Sequence, residues 1–275
     1  MPHTIFLNKL EETVACYRRS VRVPVNDKLK KMCKEVMNDL KLPQEVQSLI
    51  KPFHVFGFDI FHAGTLKNKS GGIVGIPINF TYDDITAVPT SEITINHKLL
   101  NRFKKEANDL LNTLILSEDA KKYAIAHEIL KLQNSDVHTS AYGLSSIIII
   151  VTLLYNRIVH RLNLYEKRPL YRRTFLLSSI ILVLVSWFAF KDTNSRNLDN
   201  SIDDTISKLG LNYINGGKDF YDNLIKRNIA LRSLMGKDGE KLFSSNGNIE
   251  YFLRQKSMPL SHRRNFFKSK LQNVH

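Results

Sequence analysis

The sequence predicts an α+β, mainly helical integral membrane protein. A two-helix transmembrane hairpin is set between a small mixed α/β N-terminal segment and a helical C-terminal segment. Three observations predict it. Residues 137–155 (VHTSAYGLSSIIIIVTLLY) carry no formal charge over 19 positions, and residues 174–190 (TFLLSSIILVLVSWFAF) none over 17. A bilayer needs roughly 20 apolar residues, with about 17 as the lower bound. The connection between the runs is short and basic, and the flanks alternate between helical and strand-like patterning.

The N-terminal residues 1–24 have no apolar core of signal-peptide length. Lys9, Arg18, Arg19 and Arg22 around Ile5, Phe6, Leu7 and Leu10 resemble a mitochondrial presequence, against which Glu11 and Glu12 count. Residues 25–136 read as a soluble helix and strand region. Leu29, Met32, Val36 and Leu40 stand at helical spacing behind a cap at Asn26 or Asp27. KPFHVFGFDIFHAG from residue 51, GGIVGIPINFTY from residue 71 and SEITIN from residue 91 read as strands. From Asn96 to Asn134 the pattern is helical, and Ser117 with Glu118 and Asp119 starts a helix that runs toward the first apolar span.

Residues 137–190 form the hairpin, with a basic loop at 156–173. That loop holds Arg157, Arg161, Lys167, Arg168, Arg172 and Arg173 against Glu166 alone, the positive-inside pattern. Gly143, Ser145, Ser146, Ser178 and Ser179 suit close helix contact in lipid. Residues 191–275 read as helical. Two amphipathic helices are split at Gly216-Gly217, a turn-rich loop follows at 236–248, and a basic amphipathic tail closes the chain.

The chain carries 40 Lys and Arg against 26 Asp and Glu, a net charge of +14, which asks for an anionic neighbour. A nucleic-acid binder is disfavoured, because the densest basic cluster is the hairpin loop and no recognition motif accompanies it. An anionic bilayer accounts for the charge directly. Cys16 and Cys33 are the only cysteines, too few for a disulfide framework or a zinc ribbon, and read as reduced thiols. No C-x-C or Met-rich cluster suggests copper. The Gly-rich loop at 236–248 lacks P-loop spacing and a preceding strand.

The segment AIAHEILKLQNSD, 124–136, contains His127-Glu128. Zinc peptidases use H-E-x-x-H, in which two imidazoles at i and i+4 hold the metal and the Glu activates its water. Here the fifth position is Lys131. A protonated lysine has no lone pair to give, and its charge repels a dication. The motif is degenerate, and the expectation is no metal, no cofactor and no catalysis.

Two resemblances follow from these residues. His127-Glu128, Asn134 to Asp136, the hairpin and the late P-x-x-x-R of Pro259 to Arg263 resemble the HtpX-type membrane zinc peptidases. That family takes a third ligand from a Glu after the second span. At 200–209 this sequence offers Ser201, Asp203 and Asp204 instead. The alternative reading this supports is a membrane-embedded zinc metallopeptidase.

The closer resemblance is to the transmembrane protein 177 family of the mitochondrial inner membrane. It rests on KPF at 51–53, GGIVGIP at 71–77, the hairpin, GGKDFYDNL at 216–224 and NIALRSLMGKDGEKLFSSNGNI at 228–249. The resemblance implies a multi-pass, non-catalytic assembly factor supporting biogenesis and stability of cytochrome c oxidase subunit 2. Its implied partners are that subunit and its copper-delivery and chaperone factors. Candidate partner contacts are Gly236, Lys237, Asp238, Gly239, Glu240 and Lys241, in a positioned loop of the kind that often carries binding.

Overall fold

The computed structural model describes residues 7–18, 20–67, 71–89, 93–95, 98–100, 104–134, 137–251 and 254–273. They fall into two units, 1–135 with 198–275, and 136–197. The segments before and after the apolar hairpin therefore build one body together.

In that body, α1 (Leu7–Val14) leads into a short ladder of β1 (Tyr17–Arg18) and β2 (Val21–Arg22). Helix α2 (Asp27–Asp39) starts where the sequence places it, with Asn26 accepting from the Leu29 N–H at 2.8 Å. After the single turn α3 (Gln44–Gln47) comes a three-stranded sheet of β3 (Ile50–Val55), β4 (Phe61–Thr65) and β5 (Gly71–Pro77). Strand β5 lies in the centre, parallel to β3 and antiparallel to β4. Its Gly-Ile-Val-Gly-Ile-Pro run is buried throughout, because both faces are covered. One face meets the helical core. The other holds Phe53, Val55, Ala63 and Ile73 beneath Leu7, Leu10 and Val14 of α1. The N-terminal segment thus supplies, at Leu7–Val14, a helix that covers the sheet.

Within the third expected strand Thr94–Ile95 form β6, paired with β7 (Lys98–Leu99), where helix was expected from Asn96 onward; Ser91, Glu92 and Asn96 lie outside the described residues. Helix begins at α4 (Lys105–Thr113) and resumes at α5 (Glu118–Asn134), which Ser117 caps through its hydroxyl to the Ala120 N–H at 3.2 Å. Helix α5 is buried almost all round, so it is the central helix of this body. Whether it continues into the first span turns on residues 135 and 136, which lie outside the described residues.

Helix α8 (Leu211–Met235) passes straight through Gly216-Gly217, which the sequence had suggested as a break. The break falls earlier, at Gly210, whose φ of 140° follows the end of α7 (Pro169–Ser207). The glycine pair serves close approach instead. A Cβ on Gly216 would collide with the Asp119 carbonyl at the start of α5, and one on Gly217 would lie 2.8 Å from the Phe267 ring of α10 (Leu260–Gln272). The tail helix α10 buries Phe267 completely and turns Arg263 inward, so it belongs to the soluble body.

The second unit contains α6 (Val137–Arg161) and the larger part of α7, both long and apolar enough to cross a membrane. They are not core helices. Leu153, Leu177, Ile181 and Val185 are each 60% exposed or more, a surface that water does not tolerate over two whole helices. Gly143 lets the Phe190 ring pack directly against α6, and Tyr155 stacks on Phe175 at 5.3 Å. The turn between the helices covers only 162–168. Arg157 and Arg161 stand on α6, and Arg172 and Arg173 on α7, all exposed.

Gly216→Val should destabilise the protein by about 1–3 kcal/mol, since α5 and α8 would have to separate. Thermal unfolding of the detergent-solubilised chain reads this as a lowered Tm, and an unchanged Tm would contradict the close crossing.

Candidate functional site

The degenerate motif lies at the centre of the soluble body. Helix α5 supplies Tyr123, His127, Glu128 and Lys131. The end of α7 supplies Asp199 and Asp203, four residues apart and so on one face. Helix α10 supplies Arg263, and β4 supplies His62. Four separate stretches of chain converge on one charged cluster.

Arg263 joins most of it. Its Nε donates to Asp203 Oδ2 at 2.7 Å and its Nη2 to Asp203 Oδ1 at 2.6 Å, a two-pronged pair between side chains that are both buried. The guanidinium lies over the Tyr221 ring at 4.7 Å. Tyr123 donates to Asp203 Oδ1 at 2.6 Å and sits 2.8 Å from the Tyr221 hydroxyl. Burial, then the neighbouring Tyr221 and Asp203, push the Tyr123 phenol well above its ordinary value, so it remains a donor.

The tautomer of His127 follows from its two partners. Nδ1 is 2.8 Å from Glu128 Oε1, and Nε2 is 2.7 Å from Arg263 Nη2. A guanidinium can only donate, so Nε2 must be the bare nitrogen and Nδ1 carries the proton to the carboxylate. Burial lowers the His127 pKa, and the charges of Arg263 and Lys131 lower it further, keeping the ring neutral. The other oxygen of Glu128 is held by His62 Nδ1. Burial alone would raise the Glu128 carboxyl, but hydrogen bonds from His127 and His62, aided by Lys131, hold it well below the usual carboxylate range.

Lys131 Nζ stands 3.4 Å from Asp199 Oδ1 and 3.9 Å from Glu128 Oε1. Asp199 Oδ1 is also 3.8 Å from His127 Nε2 and 3.9 Å from Arg263 Nη1. The donor set therefore does not fit a zinc ion. The His127 lone pair is engaged by Arg263, and Asp199, the acid closest to it on α7, faces the Lys131 ammonium at 3.4 Å. Among the described residues no group of three His, Cys, Asp or Glu side chains is arranged to hold a metal. The cluster can fix four chain segments in place and hold the Glu128 carboxyl ionised.

Of the positions flagged after the second span, only Asp203 turns inward. Ser201 is exposed, and Asp204 points out to Lys208 at 2.6 Å and Lys270 at 3.2 Å. Asp199 escaped the sequence reading, although its four-residue spacing from Asp203 carried the signal. His62 had no sequence signal, since its role depends on β4 lying against α5. Asn134 donates to the Leu130 carbonyl at 2.9 Å, and Asp136 lies outside the described residues.

Of the candidate partner contacts Gly236, Lys237, Asp238, Gly239, Glu240 and Lys241, Gly236 is a turn with a φ of 60° and the other five are helical. Residues Lys237–Leu242 form the helix α9, docked on α8. Gly239 is buried, and a Cβ there would meet the Arg232 backbone. The Arg232 side chain donates to the Glu240 carbonyl at 3.3 Å. The sequence missed the helix because two glycines in six residues look like turn. Lys237, Asp238, Glu240 and Lys241 remain exposed, with Lys241 paired to Asp238 at 3.1 Å and Glu240 3.9 Å from Arg232.

Known proteins match over most of this length. Transmembrane protein 177 of Xenopus laevis is 30% identical over 253 residues, 90% of this chain and 81% of that protein. The chain belongs to the transmembrane protein 177 family. The Homo sapiens member is 30% identical over 244 residues, covering 88% of this chain and 77% of its own length. The Danio rerio member is 28% identical over 228 residues. No family model and no solved structure matches the chain. Membership in this transmembrane family, together with two exposed apolar helices, makes this a membrane protein.

Asp203→Leu should cost about 3–5 kcal/mol, because it strands the Arg263 guanidinium in the interior. A fall in Tm of several degrees checks this, and a shift no larger than that of a surface control contradicts it. The acid limb carries a second signature. His127 and Glu128 both bind protons less readily folded than unfolded, so stability declines on acidification below about pH 6.5 and again below about pH 4.3. Glu128→Gln should weaken the second decline, to which Asp84, Glu118 and Asp204, also held below the ordinary carboxylate range, contribute as well. Its Tm curve should converge on that of the unmodified protein as pH falls toward 4, and parallel curves would contradict the assignment.

Proposed function

We propose that this chain is a non-catalytic assembly factor of the mitochondrial inner membrane that supports the biogenesis and stability of cytochrome c oxidase subunit 2. The observation carrying the non-catalytic part is the engagement of His127 Nε2 by Arg263, with Lys131 beside Asp199. A hydrolytic zinc site needs an open coordination position and a water to activate, and internal cations take the donors here. The charged cluster then acts as structure, tying together the helices of its own unit.

The client is drawn from the family resemblance: a membrane protein of few spans with an aqueous domain, together with its copper-delivery and chaperone factors. The hairpin offers Ser145 and Ser146 on exposed surface for contact with a client's spans, whereas Gly143 is engaged inside the hairpin by Phe190. The exposed charges of α9 would meet the client's aqueous part. The basic turn between the spans would face the matrix under the positive-inside rule, leaving the soluble body on the intermembrane-space side.

Loss of the protein should shorten the lifetime of newly made subunit 2 and leave its synthesis unchanged. Pulse-chase labelling of mitochondrial translation products measures both. Replacing Lys237, Asp238, Glu240 and Lys241 by serine, while keeping Gly236 and Gly239, should weaken co-purification of the oxidase factors at unchanged Tm. Normal subunit 2 turnover in the deletion would remove the basis for the proposal, and zinc-dependent proteolysis by the purified protein would favour the peptidase reading.

A further inference from the structure

The apolar hairpin carries a groove between its two helices, wholly inside the second unit, with a volume of about 430 Å³. Ile148, Thr152 and Asn156 line it from α6, and Leu184, Ile180 and Leu176 from α7. Each set recurs every four residues and so follows one face of its helix. Eight residues of helix rise about 12 Å, close to one leaflet of a hydrocarbon core roughly 30 Å thick. Toward the middle of the spans the wall is apolar, because Ser179 turns its hydroxyl to the Phe175 carbonyl at 2.9 Å. Asn156 stands at the end nearest the turn.

One helical turn further along the same two faces come His160 on α6 and Arg172 on α7. Both pack on the ring of Tyr165 in the turn. The His160 and Tyr165 centroids are 5.7 Å apart, and the Arg172 guanidinium lies 5.6 Å from the Tyr165 centroid. The two walls of the groove therefore lead to a single cationic, hydrogen-bonding end. His160, Tyr165 and Arg172 are all exposed there. Arg157, Arg161, Lys167, Arg168, Arg172 and Arg173 have Glu166 as the only acid between residues 137 and 191. This end of the hairpin lacks the counter-charge it needs.

We propose that the groove holds an acyl chain of one anionic phospholipid, whose phosphate rests against Arg172, His160 and Tyr165. Clefts between spans that pair an apolar wall with a basic rim take anionic headgroups. Charge selects this occupant. Flanks of other protein spans on the same side of the bilayer are themselves enriched in Lys and Arg, so the rim repels them. A zwitterionic lipid fits the wall but brings a cation of its own to the rim. The inference rests on the membrane character of the hairpin and not on the identity of any client.

The probe is palmitoyl-oleoyl phosphatidylglycerol, offered with an equal amount of the matching phosphatidylcholine to the full-length chain in detergent. Native mass spectrometry counts the lipid retained on each molecule. The expected result is one phosphatidylglycerol per chain, retained in preference to phosphatidylcholine. Arg172→Gln should weaken retention about fivefold, the effect of one basic contact at a membrane surface. Thr152→Trp and Ile180→Trp fill the groove from exposed positions and should weaken it at least as much at unchanged Tm. Lys167→Gln combined with Arg168→Gln removes twice that charge from the turn, off the line of the groove, and should leave retention near that of the unmodified chain. A loss in this double variant as large as in Arg172→Gln means attraction to surface charge only and overturns the site. Equal retention of the two lipids, or retention indifferent to both tryptophans, overturns it as well. So does a photo-crosslinker at position 152 that captures protein and no phospholipid in the native membrane.

Discussion

The bidentate pair of Arg263 and Asp203 is the interaction on which the soluble body depends. It ties the last helix of the chain to the end of the second apolar helix, 60 residues earlier in sequence. Through Tyr123 and His127 it reaches the central helix α5, and through the Tyr221 ring it reaches α8. A charge pair in the interior gains little net stability, because the attraction must first offset the desolvation of both ions. What it confers is register. Apolar faces of α5, α8 and α10 could slide past one another at small cost, whereas a guanidinium with one buried carboxylate has one satisfactory position. The glycines at 216 and 217 complete the arrangement by letting the three helices approach closely enough for these contacts to form.

The same contacts occupy the groups that a metal would need. A hydrolytic site needs a vacant lone pair on each ligand and space for water. Here the lone pair of His127 accepts from Arg263, both oxygens of Glu128 are held by histidines, and Asp199 faces an ammonium. The cluster contains its own cations. Two positive side chains within reach of the acids supply what a dication would, without an open coordination position.

Sequence alone carried much of this architecture. The hairpin was legible because lipid imposes length and charge asymmetry, and the Asn26 and Ser117 caps because helix ends need a side-chain acceptor. The strand pair around Gly71 to Pro77 was legible from β-branched residues between turn formers. The errors have a common cause: a glycine signals either a turn or a close contact, and only tertiary structure separates the two. Gly216-Gly217 was read as a break and is a packing position, as is Gly239, whereas Gly236, with a φ of 60° between α8 and α9, is a break as the sequence suggested. Within the site, Lys131 announced the degenerate motif, and Asp203 and Arg263 stood inside the fragments resembling a peptidase. Asp199 and His62 were missed because one needed its helix face and the other its neighbour Glu128 on α5.

Metal content tests the central claim most directly. The protein should be purified in detergent from cells grown with added zinc, without chelators, and analysed by inductively coupled plasma mass spectrometry beside Lys131→His. If internal cations have replaced the metal, the unmodified chain carries far less than one zinc per molecule, and Lys131→His, which restores the second imidazole, carries more. One zinc per unmodified chain, lost on His127→Ala, would contradict the account.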